Sequence, residues 1–128
     1  MRRAWMTVAV MTWAGGASAQ AYDPVDIAAI KACPSFEAPR QIVQNLGIMR
    51  LNEMQRRRSI YGVGGSGQVT CETAQTVQAA FRKLETALRR CSRHGRSAVI
   101  SAASQKWSRQ LDNENDMERN AGCPTVGR

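Results

Sequence analysis

The sequence predicts an all-α fold, a small bundle of three to four helices stapled by two disulfides, with a Gly-rich loop before the central helix. Three observations lead to this prediction. Apolar residues recur at helical spacing in the middle of the chain, and no convincing pair of strands is found. The chain also has four cysteines, an even number in a small protein. A length of 128 residues fits one domain.

Residues 1–19 have the composition of a cleaved secretory signal peptide. Arg2 and Arg3 give a positive start, residues 4–14 are mostly apolar, and the triplet 17–19 is Ala-Ser-Ala, an A-x-A cleavage site. The apolar stretch is too short to span a bilayer. We therefore expect residues 20–128 to form a single disulfide-stabilised helical domain, periplasmic or secreted, with no transmembrane span.

Proline and aspartate mark the first helices. Asp23 can cap a helix that starts at Pro24 and ends at Cys33, before the next proline. Pro39 indicates a second start, and Gly47 a kink or a break in the helix that follows. The apolar stripe predicted for this second helix contains Ile42, Val43, Leu46, Met49 and Met54.

Residues 62–67, Gly-Val-Gly-Gly-Ser-Gly, match G-x-G-x-x-G but lack its context. A dinucleotide site needs a buried strand before this motif and a helix directly after it. Here three arginines precede the motif, and residues 68–71 separate it from the next predicted helix. We interpret the segment as a flexible loop rather than a nucleotide site.

The clearest helix spans residues 71–93, with Thr70 as its expected N-cap. Its apolar residues follow spacings of 3, 4, 3, 4 and 3: Ala74, Val77, Phe81, Leu84, Leu88 and Cys91. We interpret this stripe as facing the core of the domain rather than a coiled-coil partner.

A last helix is predicted after Ser97, its expected N-cap. One face carries the apolar residues Ile100, Ala103, Trp107 and Leu111. The acidic residues beyond them are expected to form a solvated end: Asp112, Glu114, Asp116 and Glu118.

The cysteines are Cys33, Cys71, Cys91 and Cys123, and each is far from the next along the chain. This wide spacing does not resemble the close pairs of zinc or redox sites, so two structural disulfides are predicted. A helix over 71–93 places Cys71 and Cys91 about 30 Å apart, too far for a disulfide. Two pairings remain open: Cys33–Cys71 with Cys91–Cys123, and Cys33–Cys91 with Cys71–Cys123.

Positive charge is concentrated in residues 50–109, which carry twelve basic and three acidic side chains. Arginine presents a planar set of donors that suits phosphate and carboxylate. We predict an anion-binding surface that comprises Arg56, Arg57, Arg58, Arg89, Arg90 and Arg93.

The expected partner is an anionic component of the cell envelope, and the charge is compatible with peripheral contact with a membrane. Nucleic acid is not expected, because export removes the protein from it and only Tyr61 offers a stacking ring near the arginine run. The alternative is a protein-binding component, such as an inhibitor, an immunity factor or a subunit of an envelope secretion machine.

No catalytic centre, metal site or cofactor is predicted. His94 is the only histidine, and it lies among arginines at the expected end of the central helix. Nucleophilic catalysis needs an oriented base, and the sequence offers no such constellation. The least favoured alternative is a small hydrolase, in which Glu37 or Glu53 faces Glu72 across a cleft.

Overall fold

A computed structural model describes residues 23–93 and 98–124. They form four helices, α1 (Pro24–Ala32), α2 (Glu37–Tyr61), α3 (Gly64–Arg93) and α4 (Ala98–Asn120), with a 3₁₀ turn (Pro34–Phe36) after α1. The described ranges contain no strand. The predicted all-α bundle with two disulfides is thereby confirmed. The signal-like residues 1–19 and the predicted roles of His94 and Ser97 lie outside the described residues.

Helix α1 begins as the sequence predicts. The Asp23 carboxylate accepts a hydrogen bond from the backbone N–H of Asp26 at 2.9 Å, and Pro24 occupies the first turn. The helix ends before Cys33, whose backbone N–H still donates to the carbonyl of Ala29. The 3₁₀ turn then reverses the chain and buries Phe36 completely.

Helix α2 is continuous through Gly47, so a break at this glycine, one of the two predicted alternatives, is wrong. The predicted apolar stripe is wrong at Ile42 and Met49, which are 49% and 64% exposed, but Val43 is buried and Leu46 packs against the core. The buried positions of α2 are Val43 and two arginines, Arg40 and Arg50. Both arginines form ion pairs with buried carboxylates, and these pairs place charged residues where hydrophobicity alone predicts none.

The glycine-rich segment is a shorter loop than the sequence predicts, since α3 already begins at Gly64. Gly62, with φ of 84°, and one following residue make the turn. A Cβ on Gly65 would lie 2.9 Å from the carbonyl oxygen of Arg57, so glycine allows α2 and α3 to approach closely. Thr70 is a buried residue within α3 and donates to the carbonyl of Ser66; its expected role as N-cap is wrong.

Helix α3 runs through the centre of the bundle, and all six residues of its predicted stripe are buried. Helix α4 packs Ile100, Ala103 and Trp107 against this stripe. The ring centroids of Phe81 and Trp107 lie 6.2 Å apart at a tilt of 56°. The core is therefore formed mainly between α3 and α4, with α1 and the 3₁₀ turn covering one end.

The disulfides are Cys33–Cys91 and Cys71–Cys123, one of the two pairings left open by the sequence. Their Cα atoms lie 6.0 and 5.1 Å apart. One bond joins the segment after α1 to the C-terminal part of α3, and the other joins the segment after α4 to its N-terminal part. Two disulfides indicate an oxidising compartment. Within the described ranges, no helix has the length and apolar character needed to cross a membrane.

Candidate functional site

The first half of the predicted anion-binding surface lies at the C-terminal end of α2. Arg57 donates from Nε to Glu53 at 2.8 Å and from both terminal nitrogens to Glu72 of α3 at 2.8 Å. Its guanidinium therefore fastens α2 to α3. Arg56 donates to Glu53, and Arg58 donates to the hydroxyl of Ser66.

Hydrogen bonds from Arg56 and Arg57 lower the pKa of Glu53 to about 2. The hydrogen bonds from Arg57 also lower the pKa of Glu72. Two carboxylates thus compensate most of the charge of three arginines. A hollow of about 590 Å³ lies beside this cluster, lined by Arg56, Arg57, Tyr61, Gly64, Gly65 and Gln68.

Glu53 and Glu72 are two of the three carboxylates of the hydrolase alternative, the third being Glu37, and these two share one partner, Arg57. Glycoside hydrolysis requires one carboxyl group that keeps its proton and one that is ionised. The pKa values of both groups are lowered, so both are ionised at neutral pH. This arrangement suits an inter-helix ion pair better than acid–base catalysis.

The second half of the predicted surface lies on the last turns of α3. Arg89, Arg90 and Arg93 are exposed, and so are Arg82 and Lys83 one to two turns earlier. We call these five residues the α3 basic face. None of them forms an ion pair with an acidic side chain of the described residues. Arg89 donates to the hydroxyl of Thr86 at 3.2 Å.

Arg82 and Lys83 were missing from the surface that the sequence predicted. A signal for them was present, because Arg82 precedes Arg89 by seven positions and Lys83 precedes Arg90 by seven. Side chains at this spacing on a helix lie on the same face. The helical period therefore extends the predicted basic cluster by two turns.

A hollow of about 520 Å³ opens on the α3 basic face, lined by Arg82, Lys83 and Arg90 together with small and apolar neighbours. Its far wall consists of Ser35 and Pro39. The Cys33–Cys91 disulfide ties that wall to α3, and the hydroxyl of Ser35 lies 3.3 Å from the sulfur of Cys33. The geometry of this hollow is thus fixed by a covalent link.

The two halves of the predicted surface do not form one site. Glu72, which binds Arg57, lies in the first third of α3, whereas Arg89 lies near its C-terminal end. Their separation in sequence corresponds to about 25 Å along the axis of α3. The structure therefore presents two basic clusters, one largely compensated by carboxylates and one without acidic partners among the described residues.

A buried polar network joins α2, α3 and α4 beneath the surface. Arg50 binds both carboxylate oxygens of Glu114 at 2.6 and 2.8 Å and donates from Nε to Thr73 at 2.7 Å. Gln78 donates to Glu118, one helical turn after Glu114, at 3.0 Å. The prediction that both glutamates are solvated is wrong, because 6% of Glu114 and 2% of Glu118 are exposed.

Burial, followed by the neighbouring Glu114, raises the pKa of Glu118 to about 7. Burial also opposes ionisation of Glu114, but hydrogen bonds from Arg50 and Glu118 lower the pKa of Glu114 overall. Glu114 therefore takes the negative charge opposite Arg50, while Glu118 holds a proton up to neutral pH.

A second buried network holds α1 against α4. Asp26, 2% exposed, accepts from the indole N–H of Trp107 at 2.8 Å and from the ammonium of Lys106 at 2.8 Å. Arg40 of α2 lies 3.8 Å from the same carboxylate. The α4 partners of Asp26, Lys106 and Trp107, are about 80 residues away in the sequence. Only the folded chain therefore reveals that Asp26 joins α1 to α4.

Comparisons with protein-family models, with curated protein sequences and with solved structures give no significant match. Among residues 23–93 and 98–124, no group of three or more His, Cys, Asp and Glu side chains is placed to hold a metal ion. A function for this chain is therefore inferred from its own surfaces.

Proposed function

We propose that this chain is an exported, non-catalytic accessory protein whose α3 basic face binds an anionic component of the cell envelope. One observation carries the proposal. Five exposed cations lie between Arg82 and Arg93 on one helix and have no acidic partner among the described residues. Like charges at this density repel one another, and a multivalent anion relieves that repulsion.

The electrostatic environment favours the α3 basic face over the cluster around Arg57. An anion that approaches Arg57 meets Glu53 and Glu72, which already occupy its donors. On the α3 basic face, the guanidinium groups of Arg82 and Arg90 border a hollow without a carboxylate in its lining. Arginine can bind phosphate or carboxylate with two parallel hydrogen bonds there.

The disulfide framework supports the same proposal. Cys91 lies between Arg90 and Arg93, and its bond to Cys33 fixes this part of α3 to the segment between α1 and α2. A surface that is rigid before binding loses less conformational entropy when the ligand arrives. The predicted export agrees with the oxidising compartment that the disulfides indicate.

Vesicle binding tests this proposal with the exported, oxidised protein. The vesicles contain either phosphatidylcholine alone or phosphatidylcholine with phosphatidylglycerol, and soluble polyphosphate serves as a competitor. We expect binding to the anionic vesicles only, with affinity that falls steeply as salt is raised. Competition by polyphosphate would identify phosphate itself as the recognised group, whereas binding that resists it would assign recognition to the lipid surface.

Two variants locate the binding surface. Replacing Arg82, Arg89, Arg90 and Arg93 by glutamine is expected to weaken binding at least about tenfold, because the phosphate contacts are lost. The control replaces Arg56 and Arg58 by glutamine and leaves the inter-helix Arg57 in place. A larger loss of affinity in the control variant would place the binding site at the C-terminal end of α2 instead. Vesicle binding that neither variant nor salt weakens would refute the proposal.

Protein binding remains the second candidate function, because exposed apolar residues are concentrated on α2 and the turn after it. Seven of the nine exposed large apolar residues of the described chain lie within residues 42–63. A complex made there should have fixed stoichiometry and resist salt. Salt-resistant capture of one envelope protein by both variants above would favour an inhibitor, an immunity factor or a secretion subunit.

A further inference from the structure

Thr86 lies in the middle of the α3 basic face. It is half-buried, and exposed cations flank it three and four positions away in both directions along α3: Arg82, Lys83, Arg89 and Arg90. Residues at these spacings on a helix have Cβ atoms about 5–6 Å apart. Each of the four side chains is therefore long enough to bring its charged group over Thr86.

The short side chain of Thr86 leaves space between these cations. Its hydroxyl donates to the carbonyl of Arg82 at 2.9 Å and accepts from a terminal nitrogen of Arg89 at 3.2 Å. Side chains of a helix lean toward its N-terminus, so Arg89 and Arg90 are directed back toward Thr86. A phosphate oxygen is a stronger acceptor for a guanidinium than a neutral hydroxyl is. An anion above Thr86 would therefore take over the donor that Arg89 gives to the hydroxyl.

Thr86 also lines the hollow of about 520 Å³ on the α3 basic face. The acidic residues next to this region in the sequence, Glu37 and Glu85, are outside the lining. Besides its cations, the lining includes small apolar residues: Pro39, Ala79 and Ala87. An inorganic ion would contact only the cations, whereas an organic phosphate also covers the apolar residues. The lining therefore suits an anionic group attached to a carbon skeleton.

The number of cations around Thr86 indicates which anion fits best. A phosphomonoester carries a charge of about −1.5 to −2 at neutral pH and has three strong acceptor oxygens. A phosphodiester carries a single negative charge, so it neutralises fewer of the four cations. Building on the proposed function of the α3 basic face, we infer that the hollow at Thr86 binds a phosphomonoester. Its phosphate lies over Thr86, and its organic group covers the apolar residues of the lining.

Vesicle binding tests this inference separately from the proposed function. Phosphatidylcholine vesicles contain either phosphatidic acid, a phosphomonoester, or phosphatidylglycerol, a phosphodiester, at equal surface potential. We expect the exported, oxidised protein to bind phosphatidic acid vesicles at least about tenfold more tightly. Equal affinity for both vesicles would overturn the inference and leave the proposed function standing. Binding to neither vesicle would overturn the proposed function and the inference with it.

Glycerol 3-phosphate distinguishes a soluble ligand from a lipid headgroup. Displacement from phosphatidic acid vesicles by about 1 mM glycerol 3-phosphate, but not by the diester glycerophosphoglycerol, would show that the monoester group alone is recognised. A preference for phosphatidic acid that resists glycerol 3-phosphate would assign the phosphomonoester to a lipid. Equal displacement by the two soluble compounds would overturn the inference.

Substitutions of Thr86 locate the site. Thr86→Glu places a carboxylate among the four cations and should weaken binding to phosphatidic acid vesicles at least about tenfold. Thr86→Leu leaves the net charge unchanged and should weaken it at least about threefold, because the larger side chain fills the space of the phosphate. Thr76→Glu and Thr76→Leu are the matched controls, since Thr76 is exposed on the same helix and outside the lining.

Helical circular dichroism and the emission of Trp107 establish that each variant is folded. Losses of affinity in both Thr86 variants, with much smaller losses in the Thr76 variants, would support the inference. Equal losses in Thr86→Glu and Thr76→Glu, with none in Thr86→Leu, would overturn it, because attraction by net charge alone would then explain the binding.

Discussion

Replacing Glu118 by glutamine tests the buried carboxyl group between α3 and α4. In the folded protein, one oxygen of Glu118 accepts from Gln78 at 3.0 Å and the side chain is 2% exposed. Both oxygens of Glu114 are already bound to Arg50. Glutamine keeps an acceptor for Gln78 and offers an N–H donor toward Glu114, so the substitution removes ionisation and preserves the shape of the site.

The magnitude follows from linkage between protonation and folding. The pKa of Glu118 is about 7 in the folded chain and 4.5 when unperturbed. Between these values the folded state holds a proton that the unfolded state has released, so the wild type loses stability as pH rises. A difference of about 2.5 pKa units corresponds to about 3 kcal/mol, fully lost above pH 7 and regained below about pH 4.5.

Urea unfolding of wild type and Glu118→Gln, from about pH 4 to about pH 8 with disulfides intact, measures this effect. We expect the difference in unfolding free energy to grow in favour of the variant by about 3 kcal/mol over this range. Asp112→Asn is the control, because it makes the same change at an exposed position of the same helix. A difference that stays constant with pH would show that Glu118 is ionised in the folded protein and would refute the reasoning.

Three further changes test the packing. Arg50→Met should destabilise the fold by about 3–5 kcal/mol in urea unfolding, because it leaves Glu114 buried without its cation; adding Glu114→Gln should restore most of the loss. Gly47→Ala should raise the free energy of unfolding of dilute protein by about 1 kcal/mol through helix propensity. Gly65→Ala should lower it by about 1–3 kcal/mol, because the new methyl group meets the carbonyl of Arg57. Equal effects of the two substitutions on unfolding would contradict this reasoning. Replacing the cysteines of either disulfide by serines should lower the free energy of unfolding by about 4 kcal/mol. The two losses should be similar, because the two bonds close loops of similar length. A much smaller loss for one disulfide would show that other contacts already order the segment it joins.

Local sequence patterns predicted the parts of this fold that depend on short-range periodicity. The stripe of α3 recurs over six apolar residues, and that long pattern is specific for a helix. The length of the helix then excluded one disulfide pairing on distance alone. The final choice between the other two pairings depended on where α1 and the end of α4 pack, which no local pattern specifies.

The errors occur where distant residues decide what is buried. Arg50 of α2 pairs with Glu114 of α4, and the pairing turns α2 so that Met49 faces solvent. Hydrophobicity ranks Met49 above Arg50 for burial, and only the tertiary ion pair reverses that order. The same partner explains why Glu114 is buried in a segment whose composition predicts a solvated acidic end.

The arginines of this chain differ in how much of their charge is free to bind a ligand. A count of basic residues does not show this difference. Arg50 is neutralised in the interior, and Arg57 is held between two carboxylates at the junction of α2 and α3. Residues of the α3 basic face, such as Arg90, have no acidic partner among the described residues. The salt dependence of anion binding should therefore correspond to about four or five ionic contacts, far fewer than the 18 basic residues of the sequence. If the slope of log affinity against log salt concentration corresponded to most of those 18 residues, the internal ion pairs would have to open when the ligand binds.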